Sequence, residues 1–250
     1  RLYTNRSTHT YSGAQLSQIA MPLGGIGAGC IALTGYGGLQ DFSIRHAPAT
    51  SALADAHVIH DTEFATLYLP KTGVARLVEG PLPGDRIYDQ GLKAQGFRNG
   101  GHEGLPRFRE STFTGEYPFG RAELTDPGIP LAVTVTGFNP FIPLDDHNSS
   151  IPCAILEYTL TNPTRRRVPF ELGYHLSHLA VSNRGQDFSK TRNRVIPGVG
   201  VVMDNTEDAN AADFGSCALG VVGHEPILKA MWFRGGWFDS LSSWVVSLIM

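Results

Sequence analysis

Little in this sequence points to nucleic acid, to a membrane or to a metal. Its 20 Lys and Arg stand against 23 Asp and Glu, for a formal net charge of -3. The positive residues are scattered, and Arg165-Arg166-Arg167 is their single run. Nucleic acids and anionic lipid surfaces are met by concentrated basic fields, so this balance argues against both. No stretch reaches the roughly 20 apolar residues that a bilayer-spanning helix needs. Cysteine is scarce: Cys30, Cys153 and Cys217 lie far apart and match no CxxC spacing. Their odd number does not make a disulfide framework, and they read as small apolar core residues. Sustained helical periodicity is rare as well. Two catalytic signatures are missing. No GxSxG elbow is present. The glycine cluster Pro22-Leu-Gly-Gly-Ile-Gly-Ala-Gly29 has Cys30 where a GxGxxG loop requires its third glycine, and no Lys-Ser/Thr follows. Neither a dinucleotide loop nor a P-loop is formed. The cluster reads instead as a tight backbone path into a strand, where missing Cβ atoms let another segment come close.

What the sequence does have is punctuation. Its 29 Gly and 16 Pro break the chain into short runs with period-two patterning, the mark of a sandwich or barrel. Pro152 to Thr161 places Ala154, Leu156, Tyr158 and Leu160 on one face. Val168 to Ala180 does the same with Val168, Phe170, Leu172, Tyr174 and Leu176, because side chains two apart in a strand point the same way. Asn162-Pro163 ends the first of these, and the arginine run falls in a solvated turn. Further strands are predicted at Ala28 to Leu33, Leu39 to Ile44, Phe64 to Leu69, Ala75 to Glu79, Arg121 to Leu124, Leu131 to Phe138, Gly198 to Met203 and Ser216 to Val222. Thr34 to Gly38 reads as a hairpin loop, its glycines supplying positive φ. Asp85 to Arg107 reads as a long excursion, and Phe238 to Ile249 as a helix. The expected fold class is all-β: a large two-sheet antiparallel β-sandwich with long loops and little helix.

Candidate chemistry is sparse. His57/His60 and His175/His178 are i, i+3 pairs, which a strand would place on opposite faces, and no third metal ligand stands nearby. Glycoside hydrolysis needs two carboxyl groups flanking the scissile bond. Glu103, Glu110, Glu116, Glu123, Asp145 and Asp146 are available, but none sits in a pattern that specifies such a role. Arg107 and Arg109 could donate to sugar hydroxyls. The alternative is that they pair with Glu103 or Glu110 and pin the long loop, and that reading is preferred.

Four blocks then carry a resemblance. They are Ala20 to Leu33 with Gly37-Gly-Leu-Gln-Asp-Phe-Ser-Ile44; Gly104-Leu-Pro-Arg-Phe-Arg109 with Phe113-Thr-Gly-Glu-Tyr-Pro-Phe119; Gly137-Phe-Asn-Pro-Phe-Ile-Pro-Leu144 with Asn148-Ser-Ser-Ile-Pro152; and Glu157-Tyr-Thr-Leu-Thr-Asn-Pro163. In this order, over residues 20 to about 180, with weaker similarity beyond, they resemble the N-terminal domain of glycoside hydrolase family 116. The resemblance implies a retaining β-glucosidase or glucosylceramidase whose N-terminal sandwich precedes an (α/α)6 barrel holding the nucleophile Glu and the acid/base Asp. No position here matches either motif.

Residues 1–250 are therefore expected to be a single N-terminal sandwich domain cut at both ends, with the barrel absent and the chain alone inactive. No catalytic, cofactor-binding or metal residue is expected, and no substrate-binding residue is assigned. The expected partners are the downstream barrel of the same polypeptide and, in the full protein, a β-glucoside or glucosylceramide. Trp232, Phe233, Trp237 and Trp244 are candidates for the surface that meets the barrel, and ordinary core or edge packing serves them equally well. The alternative function is an independent carbohydrate-binding β-sandwich module. Compartment is left open.

Overall fold

The computed structural model describes residues 8–44, 63–83, 105–179, 190–211 and 214–230. The chain is all-β with antiparallel sheets. Its strands are β1 (His9–Ser12), β2 (Ala20–Leu23), β3 (Cys30–Thr34), β4 (Leu39–Ser43), β5 (Glu63–Leu69), β6 (Val74–Leu77), β7 (Glu110–Glu116), β8 (Phe119–Thr125), β9 (Ala132–Phe138), β10 (Ile155–Thr161), β11 (Glu171–Leu176), β12 (Thr191–Ile196), β13 (Gly200–Asn205) and β14 (Ser216–Gly220). Helix among these residues is limited to a 3-10 segment, Gly13–Gln18, and one α-turn, Asp146–Ser149 (α1). The strands fall into four sheets, ordered β1-β7-β8-β9-β10, β11-β5-β6, β12-β13-β14 and β2-β3-β4. Two compact units result. The first holds described residues 8–44, 64–83 and 105–174, and the second holds Glu63 and those from His175 onward.

The first unit is built on the five-stranded sheet. Phe113 of β7, Ala122 and Leu124 of β8, and Val133 and Val135 of β9 point to one face and are buried. Leu156, Tyr158 and Leu160 of β10 pack against the same core. Leu23 and Leu33 of β2 and β3, Ala65, Leu67 and Leu69 of β5, and Val78 and Phe108 fill the other side. This is the alternating logic of a sandwich: each strand commits every second side chain to the interior, and each large apolar side chain so buried stabilises by about 1.5–3 kcal/mol. Two glycines set how closely the layers approach. Gly120 and Gly137 face each other across β8 and β9. A Cβ on Gly137 would stand 2.8 Å from Leu23 Cδ2 and 2.9 Å from Leu33 Cδ2. The leucines nest on bare backbone.

Two differences from the expected strands have physical causes. Phe170 and Leu172, read as core-facing, are exposed; Phe170 lies just before β11 and Leu172 at the start of this edge strand, while Val168 and Tyr174 do reach the core. β1, β2, β7 and β12 were not foreseen as strands. Thr191–Ile196 is polar and almost wholly exposed, Glu110–Glu116 buries only Phe113, and β2 contains Pro22, which an edge strand tolerates. The excursion Asp85 to Arg107 lies largely, and the helix Phe238 to Ile249 wholly, outside the described residues.

Candidate functional site

One end of the five-stranded sheet gathers the glycine loop after β2, the Tyr117-Pro118 turn between β7 and β8, and the 139–154 connection between β9 and β10. Asn139 ties them together: its N–H donates to Pro118 O (3.0 Å), and its side-chain amide donates to Pro22 O (3.3 Å). Within the connection, Ser149 is almost completely buried. Its hydroxyl accepts from Ile142 N–H at 2.8 Å and donates to Ile142 O at 3.0 Å, so a single side chain closes the loop from inside. Asp145 caps α1, accepting from Asn148 N–H at 3.0 Å and from the Asn148 side-chain amide at 2.6 Å. Those two Asn148 bonds, side chain then backbone, hold the Asp145 carboxyl below the usual carboxylate range.

The glycine loop is zipped onto this connection. Ile26 N–H donates to Ser149 O at 2.8 Å. A Cβ on Gly25 would stand 2.5 Å from Ile151 O and 2.5 Å from the Ser150 carbonyl carbon, so two backbones touch where the glycine is. A loop this well tied displays apolar side chains to solvent: Ile26, Phe141, Ile142, Leu144 and Ile151 are all exposed. Leu144 is 107% exposed and sits at φ 67, a left-handed conformation rare for a non-glycine residue. Such strain persists where surrounding structure over-determines it, and it clusters at functional sites. These residues were missed as a group by sequence reasoning. Their signal was the apolar trio Phe141, Ile142 and Leu144 set among the Asn, Pro and Asp residues of Asn139 to Asp146.

The residues singled out from sequence are dispersed. Arg107 does pin its segment, through a glutamate that was not foreseen: its Nε donates to Glu79 Oε2 at 2.9 Å, and Nη1 donates to Leu105 O. The reason is topological, since residue 107 bridges β6 at Leu77 and enters the interior beside Glu79. Glu110 accepts instead from the Thr125 hydroxyl at 3.2 Å. Arg109 is exposed near Asp126, whose main ion partner is Arg76 at 3.2 Å. Burial pushes the Asp126 carboxyl up, but the Gly128 N–H and the Arg76 guanidinium outweigh it and leave it below its ordinary value. Glu116 lies 3.8 Å from Arg121, Glu123 is exposed on β8, and Asp146 lies in α1. Glu103, His57, His60, Trp232, Phe233, Trp237 and Trp244 fall outside the described residues. The arginine run is an exposed turn closed by Asn162, whose amide donates to Arg166 O at 2.8 Å. The three cysteines are half-buried, and burial pushes the Cys30 thiol up.

In the second unit, Asp204 of β13 accepts from Arg192 Nε at 3.0 Å and from Arg194 Nε at 3.3 Å. Burial raises its carboxyl, and the two guanidiniums lower it further than that. His175 is buried, and burial, with Lys229 nearby, brings its imidazole down to about 4. Among the described residues no group of three or more His, Cys, Asp or Glu is placed to hold a metal ion, and no helix is long and apolar enough to cross a membrane.

Residues 20–234 match the family model described as "beta-glucosidase 2, glycosyl-hydrolase family 116 N-term". No curated protein matches the chain.

Proposed function

This chain belongs to the N-terminal domain family of glycosyl-hydrolase family 116, and on that premise we propose that it is the non-catalytic domain of a retaining β-glucosidase or glucosylceramidase. Residues 1–250 act as one support for an (α/α)6 catalytic barrel carried on the same polypeptide. The observation that carries this reading is the rigid, apolar loop end of the first unit. Ile26, Phe141, Ile142, Leu144 and Ile151 are held outward by the buried Ser149 and by Gly25. Exposed apolar clusters on well-ordered backbone mark interaction surfaces, and a barrel wall is the partner that the family offers.

The carboxylates are consistent with a supporting role. A retaining site needs two carboxyl groups about 5–5.5 Å apart across a sugar. Here Glu79 is paired with Arg107, Asp126 with Arg76, Asp204 with Arg192 and Arg194, and Glu207 with Lys190. Asp145 caps a helical turn. These groups hold backbone and neighbouring strands. The chemistry is assigned to the barrel, and this chain contributes position. Assay of an aryl β-glucoside tests the division of labour. The chain alone gives no turnover, and a polypeptide that also carries the barrel turns over. Hydrolysis by the pure chain overturns the proposal.

A further inference from the structure

The five-stranded sheet has two faces, and one of them lines the core. Phe113, Ala122 and Val135 point inward, and their neighbours along each strand point outward, since side chains alternate. Register sets the outward ones in rungs. Glu116, Phe119, Phe138 and Ile155 form the first, across β7, β8, β9 and β10. Thr10, Thr114, Arg121, Thr136 and Glu157 form the second, across all five strands. Ser12, Thr112, Glu123, Thr134 and Thr159 form the third. Each of these residues is exposed or partly so.

The first rung is largely apolar. The Phe119 and Phe138 rings stack with centroids 5.4 Å apart and 29° between their planes. Ile155 continues the rung, and the exposed Tyr117 stands at its end, its hydroxyl 3.5 Å from Asn139 Oδ1. The other two rungs are polar. Arg121 lies 5.3 Å over the Phe119 ring and 3.8 Å from Glu116, which holds a fork of donors where the aromatic rung meets the polar ones. The Thr10 and Thr114 hydroxyls bond each other at 3.3 Å, and Thr159 donates to Glu157 at 3.1 Å. Donors and acceptors are thus set in place beside an aromatic strip.

The charges select the occupant. Glu116, Glu123 and Glu157 surround Arg121 on these rungs, so the face repels a polyanion. The core of a protein interface is depleted of charged residues, and this face is not. A neutral oligosaccharide answers both halves of the surface. Its C–H faces meet the negative face of an aromatic ring. Its hydroxyls donate and accept, as threonine, carboxylate and guanidinium groups together require. Strands about 4.8 Å apart make the four-strand rung about 14 Å long, room for more than one sugar ring. We propose that the outer face of the five-stranded sheet binds a neutral gluco-oligosaccharide, laid along the aromatic rung with its hydroxyls turned to the second. This glycan site is separate from the apolar loop end, and the domain holds sugar as well as giving support.

The test is titration of the whole chain with cellotetraose at millimolar concentration, followed by calorimetry and by amide NMR shifts. Shift changes are expected in Phe119–Thr125, Ala132–Phe138 and Ile155–Thr161. Phe119→Ala is expected to weaken binding about tenfold, the loss of one aromatic contact. Glu157→Gln weakens it severalfold with an unchanged melting temperature, so the polar rung is tested even if Phe119→Ala does not fold. Val222→Ser, an exposed position in the second unit, binds as wild type does. Polygalacturonate, an acidic glycan, binds more weakly than cellotetraose. Absence of any shift change overturns the proposal, as do shift changes centred outside those strands. Wild-type affinity in the folded Phe119→Ala or Glu157→Gln variant overturns it too, and so does polygalacturonate binding as tightly as cellotetraose. Binding is read without turnover, so the result is independent of where the catalytic carboxylates lie.

Discussion

Arg107 is a charged side chain that enters the interior, and Glu79 meets it there. Both are nearly inaccessible, with 7% and 4% of their side chains exposed. Two charges taken out of water together are tolerable when geometry is good, whereas removing one leaves the other uncompensated. Arg107→Ala is therefore expected to destabilise the chain by about 3–5 kcal/mol. Replacing both partners with apolar residues is expected to cost much less. Denaturant midpoints of the single and double variants check both statements. That Arg107 pins its loop was legible from its type and neighbours. Its partner was not, because Glu79 lies 28 residues away and only the bridge between residue 107 and β6 brings them together. Local sequence carries no record of such a pairing. His178 shows the same limit: its i, i+3 spacing to His175 suggested a metal question, while the ring's partners are the Arg192 and Asp204 carbonyls, which only the pairing of β12 with β13 brings together.

The elements show where patterning was informative. Strands that hide every second residue, such as β9 and β10, were read nearly to their ends, since burial imposes the alternation that sequence displays. Strands held mainly by backbone pairing, such as β1 and β12, gave no alternation and passed as loops. The glycine cluster was legible as a close approach, but what approaches it was not. It is the 149–151 backbone. Gly25→Ala would drive a Cβ into main-chain atoms that have no rotamer to yield, so the two segments must part. The expected result is local: lost exchange protection at the Ile26 amide, with β8 and β9 unchanged. Retained protection at Ile26 would show that the contact is looser than its 2.5 Å approach implies. By contrast, a Cβ on Gly137 meets the flexible ends of leucine side chains, where overpacking costs about 1–3 kcal/mol and is spread through the core.

At the scale of the whole molecule, the family was legible because four blocks recur in order, and the matched span of residues 20–234 contains them all. The surface offered to a partner was sought in the C-terminal aromatics, which lie outside the described residues; the loop end adds a candidate surface of its own. A side chain retained at a conformational cost, and left in water, implies a return elsewhere. Leu144→Asn tests this, since asparagine tolerates the left-handed region better than leucine. In this chain alone the variant should be as stable as wild type or more so, by up to about 1 kcal/mol. In a polypeptide that includes the barrel it should lower the melting temperature. Equal effects in the two settings would remove Leu144 from any interface.

The order of strands in the large sheet has one more consequence, for the way the chain leaves the ribosome. β7, β8, β9 and β10 follow one another and pair with their sequence neighbours, so each can settle as soon as the next emerges. β1 is synthesised long before them, yet it pairs with β7, and Thr10 meets Thr114 across 104 residues of chain. Closing so long a loop is entropically slow and waits on a partner not yet made. β1, translated before the other four strands of this sheet, is therefore the one that must wait, and the sheet is completed backwards, from its late-made centre to its early-made edge.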